Sequence, residues 1–424
     1  MRGLNRRVPE TSPDLAARVA DILDLRLRRD TDAPVAVALS GGGDSVALAL
    51  IASDWARRRG RRLLLLTVDH QLNPASGDWT LACARLAARL GADFRALDWV
   101  GVKPGAGLPA AARGARHRLL AEAARAAGAR VILMGHTADD RAEAAAMRAA
   151  GSTTPDPREW TASPVWPQGR GLFLLRPMLQ VGRGELRAWL AARDEAWIDD
   201  PSNDNPRFAR ARARSALAGA GPASGPADMP AGLAGLAARV SDETGLALPR
   251  RALREAAPAT ARALVGAACL CAAGTSRPPR GERLDRLAAA LRGDGPVVAT
   301  LAGARVEADD HTVRWLREAG EIGRGGGGGL ALAPGETAVW DGRYEVTTDR
   351  AVTLRPLAGR ASRLSARARA ALSAWPAAAR GGLPAVVGDQ VLCPAVEAAP
   401  GLSIRALSME RLQAACGAIE REPG

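Results

Sequence analysis

Between the apolar run Val35-Ala36-Val37-Ala38-Leu39 and an Ala/Leu-rich stretch stands the hexapeptide Ser40-Gly41-Gly42-Gly43-Asp44-Ser45. Consecutive glycines let a backbone turn with positive φ and come close to a ligand, and a helix starting there presents unpaired N–H groups and the positive end of its dipole. Such a turn seats an anion; a strand-to-helix turn without a ligand is the plain alternative. It is neither of the commoner glycine loops, since Gly-Lys-Ser/Thr and Gly-x-Gly-x-x-Gly are both missing. Lys103 is the one lysine in 424 residues, so a phosphate-gripping lysine of the Walker type is excluded.

A second constellation is His136-Thr137-Ala138-Asp139-Asp140-Arg141-Ala142-Glu143. On a helix Asp139 and Glu143 stand four apart and Asp140 and Glu143 three apart, so the carboxylates share a face and suit Mg²⁺ or an ammonium group. The same residues also read as a capping-box start favoured by the helix dipole. Asp69-His70 follows another apolar run, and Arg113 and Arg116 stand three apart in an Ala-rich helix, a spacing that solvated arginines also show. Last comes Asp199-Asp200-Pro201-Ser202-Asn203-Asp204, trailed by Arg207, Arg210, Arg212 and Arg214. If that tail is helical, Arg207, Arg210 and Arg214 form a stripe matched to a row of phosphates, with a solvated basic helix as the alternative.

The elements that must position these residues alternate. Apolar runs at 35–39, 63–68, 93–99 and 130–135 are separated by helical patterns at 45–59, 76–90, 109–127 and 138–150. This predicts an α/β fold with a doubly wound, mostly parallel sheet covered on both faces. Ligands in such sheets sit at the carboxyl ends of strands, where residues 40–45, Asp69-His70 and Gly135-His136 fall. A short run near Phe173 and a helix over 181–193 complete a catalytic domain at 31–215, after an N-terminal arm and helix at 1–30. A linker at 216–233, a mainly helical domain at 234–322 with strand-like segments at 297–306 and 311–316, a glycine linker at 323–329 and a small α+β module at 330–424 follow.

The net charge of +13 rests almost wholly on arginine, whose planar fork suits phosphate and base recognition. A polyanion partner and a general preference for arginine both account for that total, so position decides. Five cysteines without a Cys-x-x-Cys pair or nearby histidines fit free thiols in a reducing cytoplasm. The N-terminus lacks a signal-peptide core, and no run approaches the ~18 to 20 apolar residues needed to span a bilayer.

The hexapeptide resembles the SGGxDS pyrophosphate loop of the N-type ATP pyrophosphatases. With Asp69-His70, Arg113-x-x-Arg116, the run from His136 to Glu143, Arg176-Pro177 and the Asp-Pro-Ser-Asn run with its trailing arginines, the order is similar to that of the tRNA(Ile)-lysidine synthetases. The resemblance implies that ATP adenylates the C2 oxygen of the wobble cytidine in a CAU-anticodon isoleucine tRNA, and that free lysine then displaces AMP, changing decoding from AUG to AUA.

It also implies roles. Ser40, Gly41, Gly42, Gly43, Asp44, Ser45 and His70 would bind ATP, Asp44 and Asp139 Mg²⁺, and Arg207, Arg210, Arg212 and Arg214 tRNA. Asp44, Arg113, His136, Asp139, Asp140 and Glu143 would carry the catalysis, Arg113 facing the transferring phosphoryl group and one of Asp139 and Asp140 taking a proton from lysine. Arg141, Ala144, His117 and Ala211 stand where the family usually has Gln, Thr, Tyr and Asn. A homodimer is compatible with this reading. The alternatives are a non-catalytic tRNA-binding protein with a degenerate loop and a tRNA-thiolating enzyme, which would need cysteines where this first domain has only Cys83.

Overall fold

The structure is a computed structural model that describes residues 15–152, 154–199, 209–217, 229–324 and 329–424. It forms two units: one runs to residue 227 and takes in the tail Glu420–Gly424, and the other spans residues 228–419.

The first unit contains α1 (Leu15–Arg26), β1 (Val35–Ala38), α2 (Gly43–Arg59), β2 (Leu63–Asp69), α3 (Ser76–Leu90), β3 (Asp93–Asp98) and α4 (Leu108–Ala126). After these come β4 (Val131–Met134), α5 (Ala138–Ala149), β5 (Trp160–Ala162), β6 (Phe173–Leu175), α6 (Arg183–Ala191) and α7 (Ala209–Ala216). The strands form one sheet in the order β3-β2-β1-β4-β6-β5, parallel except for β5, which pairs antiparallel with β6. β1 and β4 are buried at every residue, as unbroken aliphatic strands covered on both faces must be, whereas the edge strand β3 exposes Asp93 and Asp98. β1 lies between β2 and β4, so the chain reverses direction across the sheet at β1/β4, the switch point at which such folds bind ligands.

Helix α1 buries Leu15, Val19 and Leu23, a four-residue spacing that puts all three on one face, each contributing about 1.5–3 kcal/mol. Trp55 of α2 donates its indole N–H to Asp24 Oδ1 at 2.9 Å, which fixes the register of the two helices. The tail also belongs here. Glu422 pairs with Arg61 at 2.9 Å, with side chains 1% and 0% exposed. Arg61 donates to the carbonyls of Ala33 and Arg28 as well, and Glu422 accepts from the amide of Arg28 at 2.9 Å.

In the second unit, α8 (Leu233–Ala237), α9 (Arg250–Glu255), α10 (Pro258–Ala273) and α11 (Gly281–Arg292) accompany the antiparallel sheet β7-β10-β9-β8. Its strands are β7 (Leu246–Pro249), β8 (Val297–Leu301), β9 (Ala304–Ala308) and β10 (Thr312–Arg317). The expected strand segment 297–306 is a hairpin, broken at Ala302 and Gly303, which both take positive φ. Helices make up most of the regular structure here, and β7, only four residues long, is the strand that leaves no periodic signal in the sequence. Arg250, fully buried, donates to the carbonyls of Ala290, Leu291, Gly293, Gly295 and Asp309 and so satisfies the open end of α11. Beyond it, residues 330–406 form two small antiparallel sheets interspersed with short helices, and Asp341 accepts both arms of Arg317 at 3.0 Å. Most of both expected linkers, residues 218–228 and 325–328, lies outside the described residues. Among the described residues no helix is long and apolar enough to cross a membrane.

Candidate active site

The glycine turn joins β1 to α2. Gly41 adopts φ +83°, and a Cβ there would lie 2.5 Å from Ile198 Cδ1, so both backbone and space demand glycine. The amide of Ile198 donates to Gly41 O at 2.9 Å. Ser45 folds back onto the turn: its hydroxyl donates to Gly42 O at 2.9 Å and accepts from the Ser40 amide at 3.1 Å. The amides of Ser45 and Val46 also end on Gly42 O, at 2.9 and 3.0 Å. Among the described residues the amides of Gly43 and Asp44 have no acceptor, and the exposed Ser40 hydroxyl stands beside them. Those donors, with the dipole of α2 behind them, make the anion seat. The Ser45 hydroxyl thus staples the turn whose amides form the seat.

The turn after β4 meets this seat. A Cβ on Gly135 would lie 3.1 Å from Ser45 N and 3.2 Å from Asp44 O, tighter than ordinary contact, so the glycine lets the end of β4 rest closely on the start of α2. From there α5 begins. Asp140 Oδ2 accepts from the amide of Thr137 at 2.8 Å and from its hydroxyl at 3.1 Å, so the capping reading holds for this carboxylate. Its other oxygen faces Arg183, the first residue of α6, at 3.7 Å. The same guanidinium reaches Asp44 and Glu143, each at 3.3 Å, while the Arg183 amide donates to Asp139 Oδ2 at 2.7 Å. Glu143, almost wholly buried, also accepts from Arg214 at 2.8 Å.

Burial pushes the Asp44 carboxyl above its usual range, with Asp140 and Asp139 adding to the rise and Arg183 opposing it. Burial works against the charge of Arg183 too, but Asp140, Asp44 and Glu143 outweigh it and raise its pKa.

A basic side faces the acids. His117 of α4 is buried, and burial, followed by the charges of Arg116, Arg113, Arg176 and His136, pushes its pKa down to about 2, so it stays neutral. Burial and the charges of Arg113 and Arg116 bring Arg176 down to about 10 against the pull of Asp140. His70 lies after β2, its ring edge-on to Trp99 with centroids 5.8 Å apart, and its pKa falls through burial and the nearby Arg116. Among the described residues its buried Nδ1 has no hydrogen-bond partner. Lys103 lies over the same Trp99 ring, 4.2 Å from its centroid.

Ser40 to Ser45, Asp139, Asp140 and Glu143 therefore converge at one sheet edge, with Arg113, Arg116 and His136 acting on the basic groups beside them. The arginine stripe divides. Arg207 and the side chain of Arg210 lie outside the described residues, Arg212 is exposed on α7, and Arg214 turns to Glu143 instead of outward. Arg183 is the residue sequence reasoning missed. A signal existed: a cation in the first turn of a helix opposes the dipole and calls for acids nearby. Of the family departures, Arg141, Ala144 and His117 are all buried.

Comparison with known proteins agrees with this geometry. A family described as the PP-loop domain matches residues 13–220. A tRNA(Ile)-lysidine synthase from Caulobacter vibrioides is 46% identical over 96% of this chain and 98% of its own length. Those of Hyphomonas neptunium and Rhizobium meliloti are 39% and 35% identical, over 65% and 74% of this chain and 79% and 72% of their own lengths. With identity extending over almost the whole of both chains in the Caulobacter comparison, the chain belongs to the tRNA(Ile)-lysidine synthase family.

Proposed function

We propose that this chain ligates free lysine to C2 of the wobble cytidine of a CAU-anticodon isoleucine tRNA, cleaving ATP to AMP and pyrophosphate by way of an adenylated cytidine. One observation carries the reading: the anion seat and the acid cluster abut, with Gly135 resting on Ser45 and Asp44. Adenylation turns the cytosine carbonyl oxygen into a leaving group, while pyrophosphate builds negative charge that the Gly43 and Asp44 amides are preset to receive. Lysine needs an anionic seat for its cation and an acceptor for its proton, and Asp139 and Asp140 supply carboxylates for both. Arg113, at the basic side, meets the transferring phosphoryl group, with His136 beside it.

The donor set suits Mg²⁺. That ion takes oxygen ligands and is held by one or two carboxylates together with substrate phosphates, and Asp44 sits among like charges that a cation relieves. Asp44 and Asp139 would hold it, and the ion would neutralise phosphate charge. Arg212, exposed on α7, would contact tRNA, and the reaction belongs to the cytoplasm, where tRNA and lysine are found.

Thiolation fits poorly, because Cys83 is buried near Gly41 and its thiol pKa is raised by burial, the opposite of a reactive sulfur. A degenerate binding module would not need the acids and the turn kept together. Mass spectrometry of the wobble nucleoside after incubation with ATP, lysine and the tRNA tests the proposal. Lysidine is expected, and unmodified cytidine with an active control enzyme overturns it. Asp139→Asn should abolish the product while tRNA still binds in a filter assay. Sedimentation of the same sample reads whether the chain forms the homodimer.

A further inference from the structure

Four carboxylates from the starts of two helices converge on one residue. Arg183 spends each nitrogen of its guanidinium on a different acid: Nε on Asp44 at 3.3 Å, one terminal nitrogen on Glu143 at 3.3 Å and the other on Asp140 at 3.7 Å. Its amide holds Asp139 at 2.7 Å. A lysine, a point charge on a flexible stem, does not match three acids at once. We propose that Arg183 is a positioning residue, a resident cation that keeps Asp44, Asp140 and Glu143 in mutual register without closing on any one of them.

The looseness of the contacts argues for the second half of that statement. Tight charge-assisted pairs close to about 2.7–2.9 Å, the distance at which Arg214 holds Glu143. Arg183 stays outside that range from all three acids, so no single acid captures its charge. Its backbone, meanwhile, cannot drift. Besides the Asp139 contact, the carbonyl of Val181 just before α6 accepts from the amide of Ala138 at 3.0 Å, which ties the starts of α5 and α6 together. That the acids so held serve lysine ligation rests on the function proposed above.

The test compares wild type, Arg183→Met and Arg183→Lys by crystallography and by steady-state kinetics. In Arg183→Met the carboxylates of Asp44 and Asp140 are expected to move by about 1 Å, a displacement that costs on the order of 100-fold in kcat. The KM for lysine should not rise, since a competing positive charge has gone. Arg183→Lys should recover part of kcat, and guanidinium ion should rescue Arg183→Ala. Acids that stay within about 0.5 Å of their places in Arg183→Met would overturn the proposal, as would a raised lysine KM with kcat unchanged. If Arg183→Met does not fold, the structure and kcat of Arg183→Lys decide. If wild type makes no lysidine, the functional reading fails while the crystallographic comparison still decides the role of Arg183.

Discussion

Glu422→Gln removes one charge from the most deeply buried ion pair of the first unit and changes little else. Arg61 and Glu422 have side chains 0% and 1% exposed and share two hydrogen bonds, of 3.1 and 2.9 Å. The remaining donors of Arg61 go to backbone carbonyls of Ala33 and Arg28, which stabilise the guanidinium but carry no formal charge to offset it. Breaking such a pair by neutralising one partner leaves a buried charge and costs about 3–5 kcal/mol. In a unit of this size each kcal/mol moves the midpoint about 2–4 °C, so a fall of roughly 6–20 °C is expected. Calorimetry should show it in one of two transitions, the other staying in place. Arg61→Met combined with Glu422→Leu should recover most of the loss, because a well-packed apolar pair replaces a buried ion pair at little or no cost. A shift below about 2 °C for Glu422→Gln, or a double variant no better than the single one, would refute the reasoning.

Three further outcomes follow from the site. His117 is neutral when folded, with its pKa depressed to about 2, so below its unfolded value of about 6.5 the unfolded chain binds the extra proton and stability falls as pH falls. His117→Tyr should flatten that slope by up to about 1.4 kcal/mol per pH unit between roughly pH 6 and 4, read from urea melts. Gly41→Ala places a methyl against Ile198 at positive φ and should cost about 1–3 kcal/mol while weakening nucleotide binding in calorimetric titration. Arg212→Ala should lower the slope of log tRNA affinity against log salt by ~1; Arg214→Met, whose arginine is held by Glu143, should leave that slope unchanged and lower kcat. Filter binding across a salt series separates the two.

Local signals carried most of the first unit. Val35–Ala38 and Val131–Met134 read as buried strands because every residue is apolar and each short run reaches a glycine within three residues. The glycine turn and the acids of α5 were legible for the same reason: each lies within a few residues of its own strand end. What stayed hidden depends on partners far along the chain. Arg183 acquires its meaning from Asp44, 139 residues away, and Arg61 from Glu422, 361 residues away. Arg214 looked like one of a series until Glu143, 71 residues earlier, claimed it. Short strands such as β5 and β7, of three and four residues, have no period to read and exist through their pairing with β6 and β10.

The return of residues 420–424 to the first unit has a consequence for how the polypeptide matures on the ribosome. Domains generally fold in order of synthesis, at about 5–20 residues per second. Here the sheet and the glycine turn are made early, yet the counter-charge for Arg61 is translated only after the whole of residues 228–419. For roughly 10–40 s at those rates the nascent chain carries a cation in its interior without its mate. A message that stalls before Glu422 would thus yield a first unit that is weakened from the outset.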